Sequence, residues 1–181
     1  MVRVEKTTCD GSGHDGDVAL RVAIVRSRFN DLVTRRLLDG ALAALHENGL
    51  ADERLFVIEV PGAIELALAA RLAIEQLQVD AVVCLGAVVR GETDHYDHVC
   101  RVAADSIARV TLDTGVPVAF GVLTCDTLEQ ALARSGGADA ASNERVHGGG
   151  ESSNRGHDAA LVALEMANLK RRLMTRALEE T

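Results

Sequence analysis

Four short apolar runs, each followed by a stretch of helical periodicity, constrain this chain more than any other feature. The runs fall at residues 18–25, 55–60, 81–89 and 117–123. They are nearly continuous rather than alternating, as expected for strands covered on both faces. Between the first two, residues 31–48 place Val33, Leu37, Leu38, Ala41, Leu42 and Leu45 on one helical stripe, and Gly49 follows as a stop. Pro61 predicts a second helix running to about Gln78, because a missing N–H costs nothing at a helix start. A third helix is expected over residues 95–114. Asp126 with Glu129 three residues on reads as a capping box for a short fourth helix ending near Arg134. A last helix, from about His157, carries Leu161, Leu164, Met166 and Leu169. Strands alternating with helices give a parallel sheet, and right-handed crossovers wind it with helices on both faces.

Composition narrows the class. Hydrophobic residues are 48% of the 181-residue chain but aromatics only 2%, so the core is aliphatic and each of three Phe residues is conspicuous. A net charge of −8 argues against a nucleic-acid or acidic-membrane partner, since charge-driven phosphate binding needs a surplus of Lys and Arg. The four cysteines form no C-x-x-C pair, and Cys84, inside an apolar run, reads as a small buried hydrophobe. The first seventeen residues are mostly polar and read as an arm, not a signal peptide. They contain a formal G-x-G-x-x-G at residues 11–16, but it precedes a strand instead of following one, so the dinucleotide reading fails. The chain reads as a soluble, reduced, cytoplasmic protein with one domain over residues 18–178 and a polar insertion at about 135–153.

In a doubly wound sheet, ligands sit beyond the carboxyl ends of the strands. That rule selects residues 26–30, 61–65 and 87–94, and the turn after Phe120. In the third of these, Gly91 and Thr93 lead into a helix whose N-terminus suits a phosphate, with Arg90 as a candidate extra charge. His95 falls in that helix's first turn, where the positive dipole end opposes an imidazolium and a neutral base is favoured. His95, Asp97 and His98 do not make a metal site: i and i+3 share a helix face, i+2 does not, and no other cluster completes the set. Phe29 lies in the polar segment Ser27-Arg28-Phe29-Asn30, where a flat ring can stack on a flat heterocycle. Phe120, within the fourth strand, is equally explained by burial in the core.

Together these segments resemble the lumazine synthase family. The match is carried by Ser27-Arg28-Phe29-Asn30, by Val60-Pro61-Gly62-Ala63-Ile64-Glu65-Leu66, and by Leu85-Gly86-Ala87-Val88-Val89-Arg90-Gly91-Glu92-Thr93 with His95-Tyr96-Asp97. Phe120-Gly121-Val122-Leu123-Thr124, Glu129-Gln130-Ala131, Asn154-Arg155-Gly156 and Ala163-Leu164-Glu165-Met166 extend it to about residues 18–172. The resemblance implies a flavodoxin-like three-layer α/β sandwich with a four-stranded parallel sheet. It also implies a homo-oligomer with active sites at subunit interfaces and riboflavin synthase as a partner. The implied reaction condenses 5-amino-6-(D-ribitylamino)uracil with 3,4-dihydroxy-2-butanone 4-phosphate, releasing phosphate and water, without metal or cofactor. Carried over by position, Phe29 stacks on the pyrimidine, and Ala63, Ile64, Glu65, Ala87, Val88 and Val89 line the ring and ribityl pocket. Glu92 and Thr93 cradle the phosphate, His95 shuttles protons, and Phe120 and Arg134 come from the neighbouring subunit, Arg134 pairing with the phosphate.

The chain departs from the family pattern in three places. Asp94 sets a carboxylate beside the phosphate loop. Arg155 stands where Lys is usual, which keeps the charge but not the geometry. The segment between Arg134 and Asn154 is longer by a dozen or so residues, at a connection where pentamers meet in the family's icosahedral shells. It predicts a pentamer or a pair of pentamers instead of a shell. Two other readings compete: a non-catalytic flavin or lumazine binder on the same scaffold, and a signalling receiver. Receivers need acidic groups at the ends of strands one and three, and Val25-Arg26-Ser27 and Val89-Arg90-Gly91 supply none.

Overall fold

The protein is described by a computed structural model over residues 20–136 and 154–179. The arm at residues 1–17 and nearly all of the polar insertion lie outside the described residues. Strands β1 (Val22–Ser27), β2 (Leu55–Val60), β3 (Ala81–Val89) and β4 (Val118–Cys125) form one parallel sheet in the order β2-β1-β3-β4. The order reverses between β1 and β3, which is where the rule for open sheets puts the ligand crevice. Helix α1 (Asp31–Glu47) and helix α5 (Arg155–Glu179) cover one face; α2 (Leu66–Leu77) and α3 (His95–Thr114) cover the other. Two cores result. Val22, Ile24, Val83 and Leu85 pack under α1 and α5, while Ala23, Val25, Val82 and Cys84 pack under α2 and α3, as the two-residue side-chain period requires.

Helix α1 matches its periodicity closely. Val33, Leu37, Ala41 and Leu45 are fully buried, and Gly49 follows at φ 81°. Helix α3 begins at His95 and ends at Gly115, φ 64°, as a glycine stop in the left-handed region should.

Five boundaries move, each for a local reason. The first strand runs to Ser27 instead of Val25, because the Arg26 charge that ends the apolar run is buried and paired rather than solvated. Residues 18 and 19 lie outside the described part. The second helix starts at Leu66, not Pro61: the Pro61 carbonyl accepts the Phe29 N–H at 3.1 Å, which holds residues 61–65 in a turn against the end of β1. Strand β4 extends to Cys125, pairing with Val89, so Phe120 lies mid-strand and no turn follows it. The fourth helix, α4 (Leu128–Ala133), is capped one residue later than expected. Thr127 accepts from the Gln130 N–H at 3.3 Å, and the Gln130 side chain accepts from the Asp126 N–H at 3.0 Å. The last helix starts at Arg155 because the Asn154 side chain accepts from the Gly156 and His157 N–H groups at 2.8 and 3.3 Å.

Candidate active site

A cavity of about 330 Å³ opens at the carboxyl edge of the sheet, lined from the segments after β1, β2 and β3 and by the start of α3. Phe29, Ala63, Ile64, Glu65, Ala87, Val88, Val89, Thr93 and His95 all face it. Nine of the twelve residues expected at the site are therefore gathered by one chain. Glu92 is exposed in the same loop but does not line the cavity. Phe120 and Arg134 do not line it either. Phe120 is not core: it is 45% exposed on β4, an edge strand, and Arg134 is exposed at the C-terminus of α4.

The backbone fixes these positions. The Arg28 N–H donates to the Val60 carbonyl at 2.8 Å and the Phe29 N–H to Pro61, tying the loop after β1 to the loop after β2. Asn30, left-handed at φ 56° and ψ 48°, donates from its side-chain amide to the Ala87 carbonyl at 2.9 Å, reaching the end of β3. Three loops distant in sequence are thus joined under the cavity. Phe29 itself is 68% exposed, a ring presented to the opening with its backbone held. Thr93 and His95 flank the start of α3, whose first-turn N–H groups and positive end favour an anionic group there.

Arg90 is engaged elsewhere than at a phosphate. Its Nε donates to Asp126 at 2.8 Å, another guanidinium nitrogen lies 3.5 Å from Asp97, and the group stacks 4.1 Å from the Tyr96 ring centre. It braces the ring of Tyr96, which lines the cavity beside His95. Hydrogen bonding to Asp126 holds the Arg90 pKa up despite the cost of burial. Cys84 is fully buried, and desolvation pushes its thiol up to about 12, so it is a packing residue and not a nucleophile.

Sequence reasoning does not single out Gly62, Tyr96 or Val99 as site residues, yet all three line the cavity. Val99 was within reach: it follows His95 by one helical turn and so shares its face. Arg26 falls in a segment the strand-end rule selects, but its burial is not legible, because nothing in a sequence marks a charged residue that will be 2% exposed.

A doubly wound sheet whose crevice gathers an exposed aromatic ring, a histidine and a helix N-terminus defines an α/β protein with a crevice suited to a flat small molecule beside an anion. Comparison with known proteins narrows this further. Residues 19–171 match the family model described as 6,7-dimethyl-8-ribityllumazine synthase. The chain is 47% identical over 154 residues to the 6,7-dimethyl-8-ribityllumazine synthase of Kosmotoga olearia, covering 85% of this chain and 90% of that one. It is 46% identical over 149 residues to that of Desulfatibacillum aliphaticivorans, covering 82% and 88%. The chain belongs to the 6,7-dimethyl-8-ribityllumazine synthase family.

Proposed function

We propose that this enzyme condenses 5-amino-6-(D-ribitylamino)uracil with 3,4-dihydroxy-2-butanone 4-phosphate to 6,7-dimethyl-8-ribityllumazine, as the names of its relatives imply. The observation that carries the reading is the cavity itself, which is lined by residues of the family motif drawn from separate segments of one chain. The pyrimidine stacks on Phe29 between the turn at residues 62–65 and the end of β3. The phosphate sits at Thr93 and the start of α3. The primary amine of the uracil attacks the ketone, water leaves as the imine forms, phosphate is eliminated, and ring closure releases the second water. His95 moves protons in these steps. Holding both substrates in one crevice removes much of the entropic barrier of a bimolecular reaction.

Phe120 and Arg134 complete the site from a neighbouring copy, Arg134 stabilising the departing phosphate. Two exposed apolar grooves support such an assembly. One runs along β2 and α2, with Leu68 and Leu72; the other runs along β4 and α5, with Val162, Met166 and Leu173. They lie at opposite edges of the sheet and differ in composition. A head-to-tail contact between unlike patches closes into a ring when the rotation permits. The proposed assembly is a pentamer or a pair of pentamers rather than a shell, on the length of the connection between Ser135 and Asn154, which falls where the family's rings meet. Riboflavin synthase, which consumes the lumazine, is its proposed partner.

The test is to incubate the purified protein with both substrates and follow formation of the fluorescent lumazine together with inorganic phosphate. Equimolar appearance of the two is the expected result; absence of both overturns the reading.

A further inference from the structure

Arg26 is a charge placed where the strand pattern calls for an apolar residue. It lies on β1, an interior strand, on the same face as Val22 and Ile24, opposite Leu85 of β3. Its guanidinium donates to Asp31 at 2.8 Å, to Thr34 at 3.1 Å and to Glu59. Burial opposes its charge, and the hydrogen bonds to Asp31 and Glu59 outweigh that, so its pKa is raised. An ion cluster of this kind is weak evidence for stability, because well-packed apolar residues often serve as well. What it does supply is geometry.

The partners of Arg26 bracket the loop that carries Phe29. Glu59 directly precedes Val60 and Pro61, whose carbonyls accept the Arg28 and Phe29 N–H groups. Asp31 directly follows Asn30, the left-handed residue that reaches Ala87. One guanidinium therefore fastens the residues on either side of the loop. The Phe29 ring, 68% exposed, takes its direction from this backbone and not from packing.

We propose that Arg26 is the positioning residue of the aromatic platform: it fixes the loop at residues 27–30, and so sets the affinity for the flat heterocyclic substrate without touching it. The proposal rests on the condensation reading above. The phosphate side is built on a different segment, residues 93–95 and the start of α3, so the phosphate-bearing substrate should not feel the change. A loop already held in its binding conformation loses less entropy when the ring stacks.

The experiment compares wild type with Arg26→Met, Arg26→Lys and Glu59→Gln. Asp31 and Glu59 are 47% and 37% exposed, so water reaches the carboxylates that Arg26→Met leaves behind. Steady-state kinetics give kcat and KM for each substrate, and hydrogen exchange reports the Arg28 and Phe29 amides. Arg26→Met is expected to raise KM for the pyrimidine about tenfold, with kcat and the other KM within about twofold, and to speed exchange at both amides. Arg26→Lys should recover part of the loss, and Glu59→Gln should reproduce it in weaker form. An unchanged pyrimidine KM, or a parallel loss in kcat and both KM values, overturns the proposal. If Arg26→Met does not fold, the same criteria apply to the other two variants. Wild type that forms no lumazine refutes the condensation and leaves the exchange data to judge Arg26: faster exchange supports the role, unchanged exchange overturns it.

Discussion

His95 and Arg26 show two ways in which one side chain matters. His95 lines the cavity directly, and among the described residues its imidazole is the only one there. Replacing it with Ala should cost roughly 10²–10⁴ in kcat, the usual scale for a lost general acid–base group, while pyrimidine binding changes little. Equal turnover in the variant would remove the proton-shuttle role. Arg26 acts through carboxylates, and one of them gives a pH signature. The hydrogen bond from Arg26 holds the Asp31 carboxyl below its ordinary 3.8 against an opposing desolvation effect, with Arg35 adding to it. A depressed folded-state pKa means that the pair's stabilisation is present above 3.8 and fades as pH falls through the lower folded value. The difference between thermal melts of wild type and Arg26→Met should therefore shrink as pH falls below about 3.8 and hold steady near neutrality. Because Asp31 is half exposed, the effect is small.

At the scale of elements, the junction of α1, α4 and α5 decides how the chain closes. Asn154 donates to the Arg36 carbonyl at 2.7 Å and the Ser135 carbonyl at 3.0 Å, while its oxygen caps α5. An isolated antiparallel bridge joins Ser135 to Asn154, so the insertion leaves and returns at one point. Asn154→Ala should lower stability by about 1–2 kcal/mol from the lost cap alone, read from denaturant midpoints. Beside it, α5 crosses α1 so closely that a Cβ at Gly156 would overlap the Leu37 backbone carbonyl. Gly156→Ala must push the two helices apart and should cost about 1–3 kcal/mol or more by the same measurement, although alanine is the better helix former. A Gly156→Ala protein as stable as wild type would mean that the crossing is looser than described.

For the whole molecule, the proposed sharing of each site between neighbouring chains makes a sharp expectation. If Phe120 and Arg134 serve the neighbour's cavity, His95→Ala and Arg134→Ala proteins are each impaired, yet dissociating and reassembling them together regenerates intact sites. Random mixing in a ring with one interface per site should restore about a quarter of wild-type activity. No recovery on mixing would place both halves in one chain or leave the chains unassociated. Light scattering on the same samples distinguishes a ring or ring pair from a sixty-subunit shell.

Strand number, strand direction, the helix-covered faces and the strand-end segments whose residues line the cavity are legible without coordinates. They depend on local periodicity, on glycine stops such as Gly49 and Gly115, and on a general rule about strand ends. These signals act over a few residues, so the linear chain contains them whole. The start of α2 at Leu66 was not legible, because it depends on a hydrogen bond between Pro61 and Phe29, two residues far apart in the chain. The burial of Arg26 was not legible for the same reason: its neutralising Glu59 comes from the adjacent strand. Sequence alone determined which side chains are available at the crevice, since hydrophobic patterning and turn chemistry are local. Only the tertiary structure decided which of them share one cavity and which, like Phe120 and Arg134, lie outside its lining, because that outcome depends on strand order and on contacts between segments that never meet along the chain.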